Sequence, residues 1–184
     1  EQNVDAVVDA MLDLLGEGHL SPGAAAVAER SGVSLRSVFR YFDDMDALTD
    51  RAIARQMERA APLFDLLDDS GDLAERAARL GAHRVHQHQE LAPYARVAIL
   101  RSGRVPAVAE GVATRRDALR RQVEALFANE LDALGRDDRD ETLSTLEAVS
   151  SFEVVDQLRT HRRLGPARVE AVLARAVIGV LSAP

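Results

Sequence analysis

The sequence contains no cysteine, no lysine and no tryptophan among its 184 residues. Without cysteine, the chain has no disulfide, no thiolate zinc site and no cysteine nucleophile. No apolar run approaches the roughly 20 residues that a membrane-spanning helix needs. The first residues, EQNVDAVVDAMLDLLGEG, are acidic and periodic and do not resemble a secretory signal. We therefore expect a cytoplasmic protein.

Positive charge is scarce in the first part of the chain. Residues 1–50 contain three arginines and ten acidic residues, a net charge of −7, whereas the other 134 residues contain 20 residues of each sign. An acidic surface is a poor partner for the phosphates of nucleic acids. Because the first residue is Glu rather than Met, we expect the natural chain to begin earlier.

Glycine and proline are also few, 11 and 6, and they separate stretches that share one periodicity. Apolar residues recur at steps of three and four, and the alternation typical of strands is absent. The pattern predicts an all-α protein of about nine helices. After three short helices near the start, the predicted helices cover 45–67 with a kink at Pro62, 72–90, 92–102, 107–134, 139–163 and 166–182.

The three short helices at the start have the spacing of a helix-turn-helix. Gly32 stands where the bend needs a positive φ, Ala28 leaves room for the helices to cross, and Ser34 is placed to cap the third helix. We expect Val33 and Val38 to fill the small core.

The segment GHLSPGAAAVAERSGVSLRSVFRYFDDMDAL, residues 18–48, resembles the DNA-binding domain of the TetR (tetracycline-repressor) family. A looser resemblance extends along the rest of the chain. It implies a helix-turn-helix domain at 1–46 and a ligand-binding and dimerisation domain at 47–184. It also implies a homodimeric, ligand-responsive transcription regulator, most often a repressor, which a small molecule releases from operator DNA.

The resemblance places the recognition helix at Leu35–Tyr41. The DNA-binding residues that it implies are Ser34, Leu35, Arg36, Ser37, Phe39, Arg40 and Tyr41. An arginine in the major groove can donate two hydrogen bonds to guanine. Phe42 is expected in the core. Phe39 either packs there too or occupies a position that often holds a phosphate-binding tyrosine.

Several residues depart from the family pattern. Pro22 and Gly23 stand where a phosphate-binding Thr or Ser is usual, and Met45 replaces a usual Lys. Asp43 and Asp44 add negative charge nearby. Members of the family commonly have a basic arm before the first helix, and in this protein such an arm would precede Glu1. We expect DNA binding with fewer phosphate contacts; the alternative is a TetR-fold module that senses a ligand or binds a protein, with weak or lost DNA binding.

The histidine-rich sequence HRVHQH, residues 83–88, suggests a metal site but lacks the geometry for one. Arg84 and His88 lie on the apolar stripe of their predicted helix, whereas His83 and His86 lie well away from it. We expect His83 and His86 on a solvated face, and no bound metal or cofactor. No nucleophile–base pair or phosphate-binding loop favours an enzyme.

Inward-facing charges in the later helices leave two interpretations open. Arg115 and Arg116 flank one apolar stripe, and Glu147 lies within another. They either form buried ion pairs or line a cavity for an acidic or polar-headed hydrophobic molecule. The candidate ligand-binding residues are Arg84, His88, Tyr94, Val112, Arg115, Arg116, Glu147 and Phe152.

The last two predicted helices, 139–163 and 166–182, are apolar on more than one side. Phe152, Val155, Val172 and Ile178 lie off the main stripes and would form an exposed apolar patch in a monomer. This pattern predicts a two-fold four-helix interface with a second copy of the chain.

Overall fold

The computed structural model describes residues 2–182, and within this range it contains helices and loops but no strands. The all-α prediction is confirmed. The α-helices are α1 Gln2–Gly16, α2 Ala24–Ser31, α3 Leu35–Tyr41, α4 Met45–Arg59, α5 Leu73–Ser102, α6 Pro106–Leu126, α7 Ala128–Asp132, α8 Arg136–Val149, α9 Phe152–Asp156 and α10 Pro166–Leu181. A 3₁₀ turn covers Ala61–Phe64, and a π-helical turn covers Gln157–His161.

The boundaries of α2, α3 and α4 follow the predicted turn and cap residues. Gly32 ends α2 with φ 72°, in the left-handed region that suits glycine. The Ser34 hydroxyl caps α3 by accepting a hydrogen bond from the Ser37 backbone N–H, and the Asp44 carboxylate caps α4 through the Ala47 N–H. Val38 is buried and Val33 is half-buried. The bend that presents α3 is therefore specified by local sequence.

Five of the predicted helix ranges differ from the structure. The helix predicted to run to residue 67 ends at Arg59, and Pro62 lies in the 3₁₀ turn that follows. The helices predicted at 72–90 and 92–102 are one helix, α5, with Pro93 inside it. Its neighbours Leu91 and Ala92 are buried, and their packing offsets the hydrogen bond that proline removes. The stretches 107–134 and 139–163 are each divided, at Phe127 and at Ser150–Ser151.

The chain divides into two compact units. The first comprises the chain up to Pro62 together with Pro93–Val112, and the second comprises Leu63–Ala92 together with the chain from Ala113 onward. One core cluster of the second unit is formed by buried residues of α5, α6, α7, α8 and α10, among them Phe127, Leu143 and Val177. The predicted functional domains, 1–46 and 47–184, stay a prediction, since compactness alone does not locate a function.

Within residues 2–182, no helix combines the length and the apolar character that crossing a membrane requires.

Candidate functional site

The exposed face of α3 is the first candidate site. Val38 faces the core of the first unit, while Leu35, Arg36, Phe39 and Arg40 are exposed. The exposed fractions are 46% for Leu35 and 53% for Phe39. The core-packing alternative for Phe39 is therefore excluded, and Phe42 is only half-buried rather than fully inside. The helix presents apolar and cationic side chains together.

Some polar side chains of α3 form hydrogen bonds within the protein, and one does not. The Ser34 and Ser37 hydroxyl oxygens lie 2.9 Å apart and share a hydrogen bond at the start of the helix. Arg40 donates from Nη2 to the Tyr41 hydroxyl at 2.8 Å and lies over the Tyr41 ring, and this bond lowers the pKa of Tyr41. Arg36 makes no hydrogen bond or ion pair with any residue in the range 2–182. Its guanidinium is the one on this face that is fully available to a partner.

Several acidic residues of the first unit form ion pairs with arginines that are distant in sequence. Arg101 of α5 donates to Asp46 at 2.6 Å and to Asp50 at 2.9 Å, both on α4. Arg30 forms a bidentate pair with Glu17, at 2.8 and 3.0 Å. The ion pairs of Asp5 and Asp9 are made with Arg55 and Arg59.

These contacts reduce the predicted electrostatic penalty. The residues of the first unit include nine arginines and twelve acidic residues, a net charge of −3 in place of the −7 of residues 1–50. Asp44 is also engaged, because its carboxylate accepts the Ala47 N–H at 2.7 Å. The first unit as a whole is therefore less repulsive to phosphate than the charge of residues 1–50 indicates.

A buried polar cluster in the second unit is the second candidate site. Arg84 is 3% exposed. It donates from Nη1 to the side-chain oxygens of Gln87 at 2.9 Å and Gln122 at 2.6 Å, and from Nη2 to the Leu119 carbonyl at 3.1 Å. Burial lowers the pKa of Arg84 to about 10. The predicted inward orientation of Arg84 is confirmed.

The two glutamines connect this cluster to backbone carbonyls within the 3₁₀ turn and just after it. Gln87 donates to the Leu63 carbonyl at 2.5 Å, and Gln122 donates to the Asp65 carbonyl at 2.5 Å. Neither glutamine was among the residues predicted from sequence. A signal for Gln122 exists, since it lies one turn after Leu119 on the apolar face of α6, where an amide must find a polar partner.

The histidines divide differently from the prediction. His86 is exposed as expected, but His83 is half-buried, and its Nε2 lies 2.8 Å from the Leu63 carbonyl oxygen. Burial lowers the pKa of His83. His88 is buried, with Nε2 2.9 Å from the Asp156 carboxylate and its ring stacked on Phe152 at 5.5 Å. Residues 2–182 contain no group of three or more histidine or acidic side chains placed to hold a metal ion.

The remaining candidate ligand residues are not all in one unit. Arg116 pairs with Glu153 at 2.6 Å, and both side chains are exposed. Glu147 pairs with Arg120 at 2.8 Å, and both are half-buried, so the prediction of buried ion pairs is wrong for these residues. Burial lowers the pKa of Arg115, which is half-buried on α6. Tyr94 and Val112 belong to the first unit, where the Tyr94 hydroxyl packs against Gly16.

Comparisons with known proteins rest on structure, since no protein-family model and no curated protein matches the sequence. A transcriptional regulator from Rhodococcus sp. Rha1 has a TM-score of 0.73 at 18% identity, over 97% of this chain and 95% of its own. A TetR-family transcriptional regulator from Streptomyces coelicolor has a TM-score of 0.74 at 18% identity, over 98% and 80%. A putative TetR-family regulator from Mesorhizobium loti has 0.62 at 16%, over 98% and 95%. At these identities the likeness is one of fold.

Proposed function

We propose that this chain, which has the fold of TetR-family transcriptional regulators, is itself a DNA-binding transcriptional regulator. In this proposal it binds operator DNA as a homodimer through α3 and acts as a repressor. A small molecule bound in the second unit releases it from the DNA. It is not an enzyme in this proposal.

The observation that most supports DNA binding is the exposed face of α3. The helix buries only Val38 and exposes Leu35, Arg36, Phe39 and Arg40. Exposed apolar side chains next to cationic ones are typical of a binding surface and suit insertion into the major groove. Arg36 can donate two bonds to guanine O6 and N7, and exposed apolar side chains suit the methyl group of thymine. The serines that begin the helix are placed to approach a phosphate.

Ligand response is proposed from the second unit. Arg84, Gln87 and Gln122 form a buried polar cluster on helices whose other buried residues are mostly apolar, and a few polar groups in such surroundings can fix the orientation of a small molecule. A bound molecule would change operator affinity only through a different affinity for the two states of the protein.

The dimer is proposed through 139–163 and 166–182, with a smaller apolar patch than predicted, since Phe152 is half-buried and stacks on His88. Val155 is buried in its own chain, and Ile178 packs against the core of the second unit. Val172 remains, 38% exposed on α10 and off the buried stripe of Val169, Leu173 and Val177. A second copy of α10 is the proposed cover.

A second candidate function is a TetR-fold sensor with weak or lost DNA binding. It is favoured by Met45 at the first position of α4, where a lysine would meet phosphate, and by the exposed Asp43 beside it. Each missing phosphate contact removes one counterion-release contribution to affinity.

The test is selection of DNA from a pool of random duplexes, followed by binding measurements on the selected sequence. We expect Arg36→Ala to weaken binding to this sequence by about 5- to 150-fold, the range for one bidentate guanine contact. Arg136→Ala is the control, since it removes an exposed arginine at the start of α8. Selection of no sequence at low salt would favour the second candidate, and equal binding by both variants would refute the assignment of α3.

A further inference from the structure

Arg84 differs from the other buried arginine of the second unit in having no carboxylate partner. Arg76 and Arg84 are the buried arginines among residues 2–182. Arg76 donates from both Nη atoms to Glu130 and from Nη1 to the Leu126 carbonyl at 2.8 Å. Within the same range, no acidic oxygen lies within ion-pair distance of Arg84. Its positive charge is buried and uncompensated.

The partners that Arg84 does have leave part of its guanidinium unused. A guanidinium has five N–H donors and no acceptor. Three bonds are made, two from Nη1 and one from Nη2, and Nε has no partner. The unused donors are the Nε–H and one N–H of Nη2, on neighbouring nitrogens. A carboxylate accepts two parallel bonds from such an edge.

The orientation of the glutamines follows from the same chemistry. Because a guanidinium only donates, both amide oxygens turn toward it, and both NH₂ groups are then left to donate to the Leu63 and Asp65 carbonyls. The acceptors around Arg84 are thus all neutral, and none of them carries negative charge. Neutral acceptors satisfy hydrogen bonds without repaying the desolvation of a cation.

A second cation, Arg115, lies on α6 close in sequence to Leu119. Arg115 precedes Leu119, whose carbonyl accepts from Arg84, by four residues, which is about one helical turn. It is half-buried, and burial lowers the pKa of its guanidinium as well. Arg115 is therefore a second partly buried cation on the helix that carries the Leu119 acceptor.

We propose that Arg84 is the anchor of a binding site for a carboxylate group, in which its Nε–Nη2 edge donates hydrogen bonds to the two carboxylate oxygens. The site belongs to the effector that the proposed function requires, so its regulatory meaning rests on that proposal. The effector is therefore a small organic acid rather than a neutral or cationic molecule.

The test uses sodium benzoate and sodium octanoate as probes, with benzamide and octanamide as matched neutral compounds at constant ionic strength. Thermal unfolding of the free protein is followed as each probe is titrated. A carboxylate bound at ten times its Kd should raise the Tm by about 3–6 °C, in a saturable way. The amides should raise it less.

Two variants at Arg84 and one control locate the effect. Arg84→Met should abolish the carboxylate response. It removes an uncompensated buried charge but also leaves the Gln87, Gln122 and Leu119 oxygens without their donor, so the stability of the free protein is measured separately and does not decide the site. Arg84→Lys keeps a charge without the two-donor edge and should respond weakly, and it decides the matter if Arg84→Met does not fold. Arg120→Met removes an arginine already paired with Glu147 and Asp140 and should respond like the parent.

The outcomes separate this inference from the proposed function. A carboxylate response equal to that of the amides, or one that survives in Arg84→Met, would overturn the site. Because these measurements contain no DNA, they stand even if the protein selects no operator. A response that depends on Arg84 but leaves operator affinity unchanged would confirm the site and remove its regulatory role.

Discussion

Gly81 lies where α5 and α10 approach within backbone contact, and replacing it with alanine should show how tightly they pack. A Cβ added at Gly81 would lie 2.8 Å from the Glu170 carbonyl oxygen and 3.4 Å from the Glu170 Cα. These are backbone atoms of α10, which cannot rotate away as the end of a side chain can. The helices must separate to admit the methyl group.

Two effects of opposite sign determine the result. Alanine in place of glycine stabilises a helix interior by about 0.8–1 kcal/mol. Overpacking costs typically about 1–3 kcal/mol. The net expectation for Gly81→Ala is a loss of about 1 kcal/mol, within a range of roughly 0–2 kcal/mol.

Chemical denaturation at fixed protein concentration measures this change. Ala82→Gly is the control, because Ala82 is the exposed neighbour of Gly81 on α5 and its change isolates the propensity contribution. It should lose about 0.8–1 kcal/mol. If Gly81→Ala gains as much as Ala82→Gly loses, the steric reasoning is refuted and the helices do not approach as described.

Two further predictions concern a buried ion pair and the proposed dimer. The hydrogen bonds with Arg76 lower the pKa of Glu130 from its ordinary 4.5, so the folded chain binds fewer protons than the unfolded chain, and stability is lost as pH falls through the folded pKa. Glu130→Gln should be less stable than the parent at pH 7 and should approach it in acid denaturation profiles below pH 4.5, whereas parallel profiles would contradict the pairing. Val172→Glu should convert dimer to monomer in light scattering at micromolar concentration while Ala171→Glu, one residue away and exposed, does not; dimerisation of both would place the interface elsewhere.

Local signals in the sequence are sufficient for the structure around α3. Gly32, Ser34 and Asp44 each act on the backbone within three residues of themselves, so their effects are visible without the rest of the fold. Pro93 misleads for the opposite reason. Its effect on α5 is overridden by the packing of Leu91 and Ala92, which depends on residues that are distant in sequence.

The candidate sites could be predicted only in part. The inward positions of Arg84 and His88 follow from helical periodicity, which is a property of one helix. Their partners, Gln122 on α6 and Asp156 on α9, come from other helices, and no spacing rule connects them. The same limit applies to charge, because the −7 of residues 1–50 gives no sign that Arg101 forms ion pairs with Asp46 and Asp50.

The Arg101 contacts have a consequence for how this protein can be divided into parts. A fragment that ends at residue 62 keeps all of α1 to α4, but it loses Arg101 and has six arginines against eleven acidic residues, a net charge of −5. Asp46 and Asp50 then remain as two unpaired carboxylates in the first turns of α4, just after the helix proposed to read DNA. The proposed DNA-binding region is therefore not a continuous stretch of sequence, because the pairing of its acidic residues depends on an arginine from the end of α5.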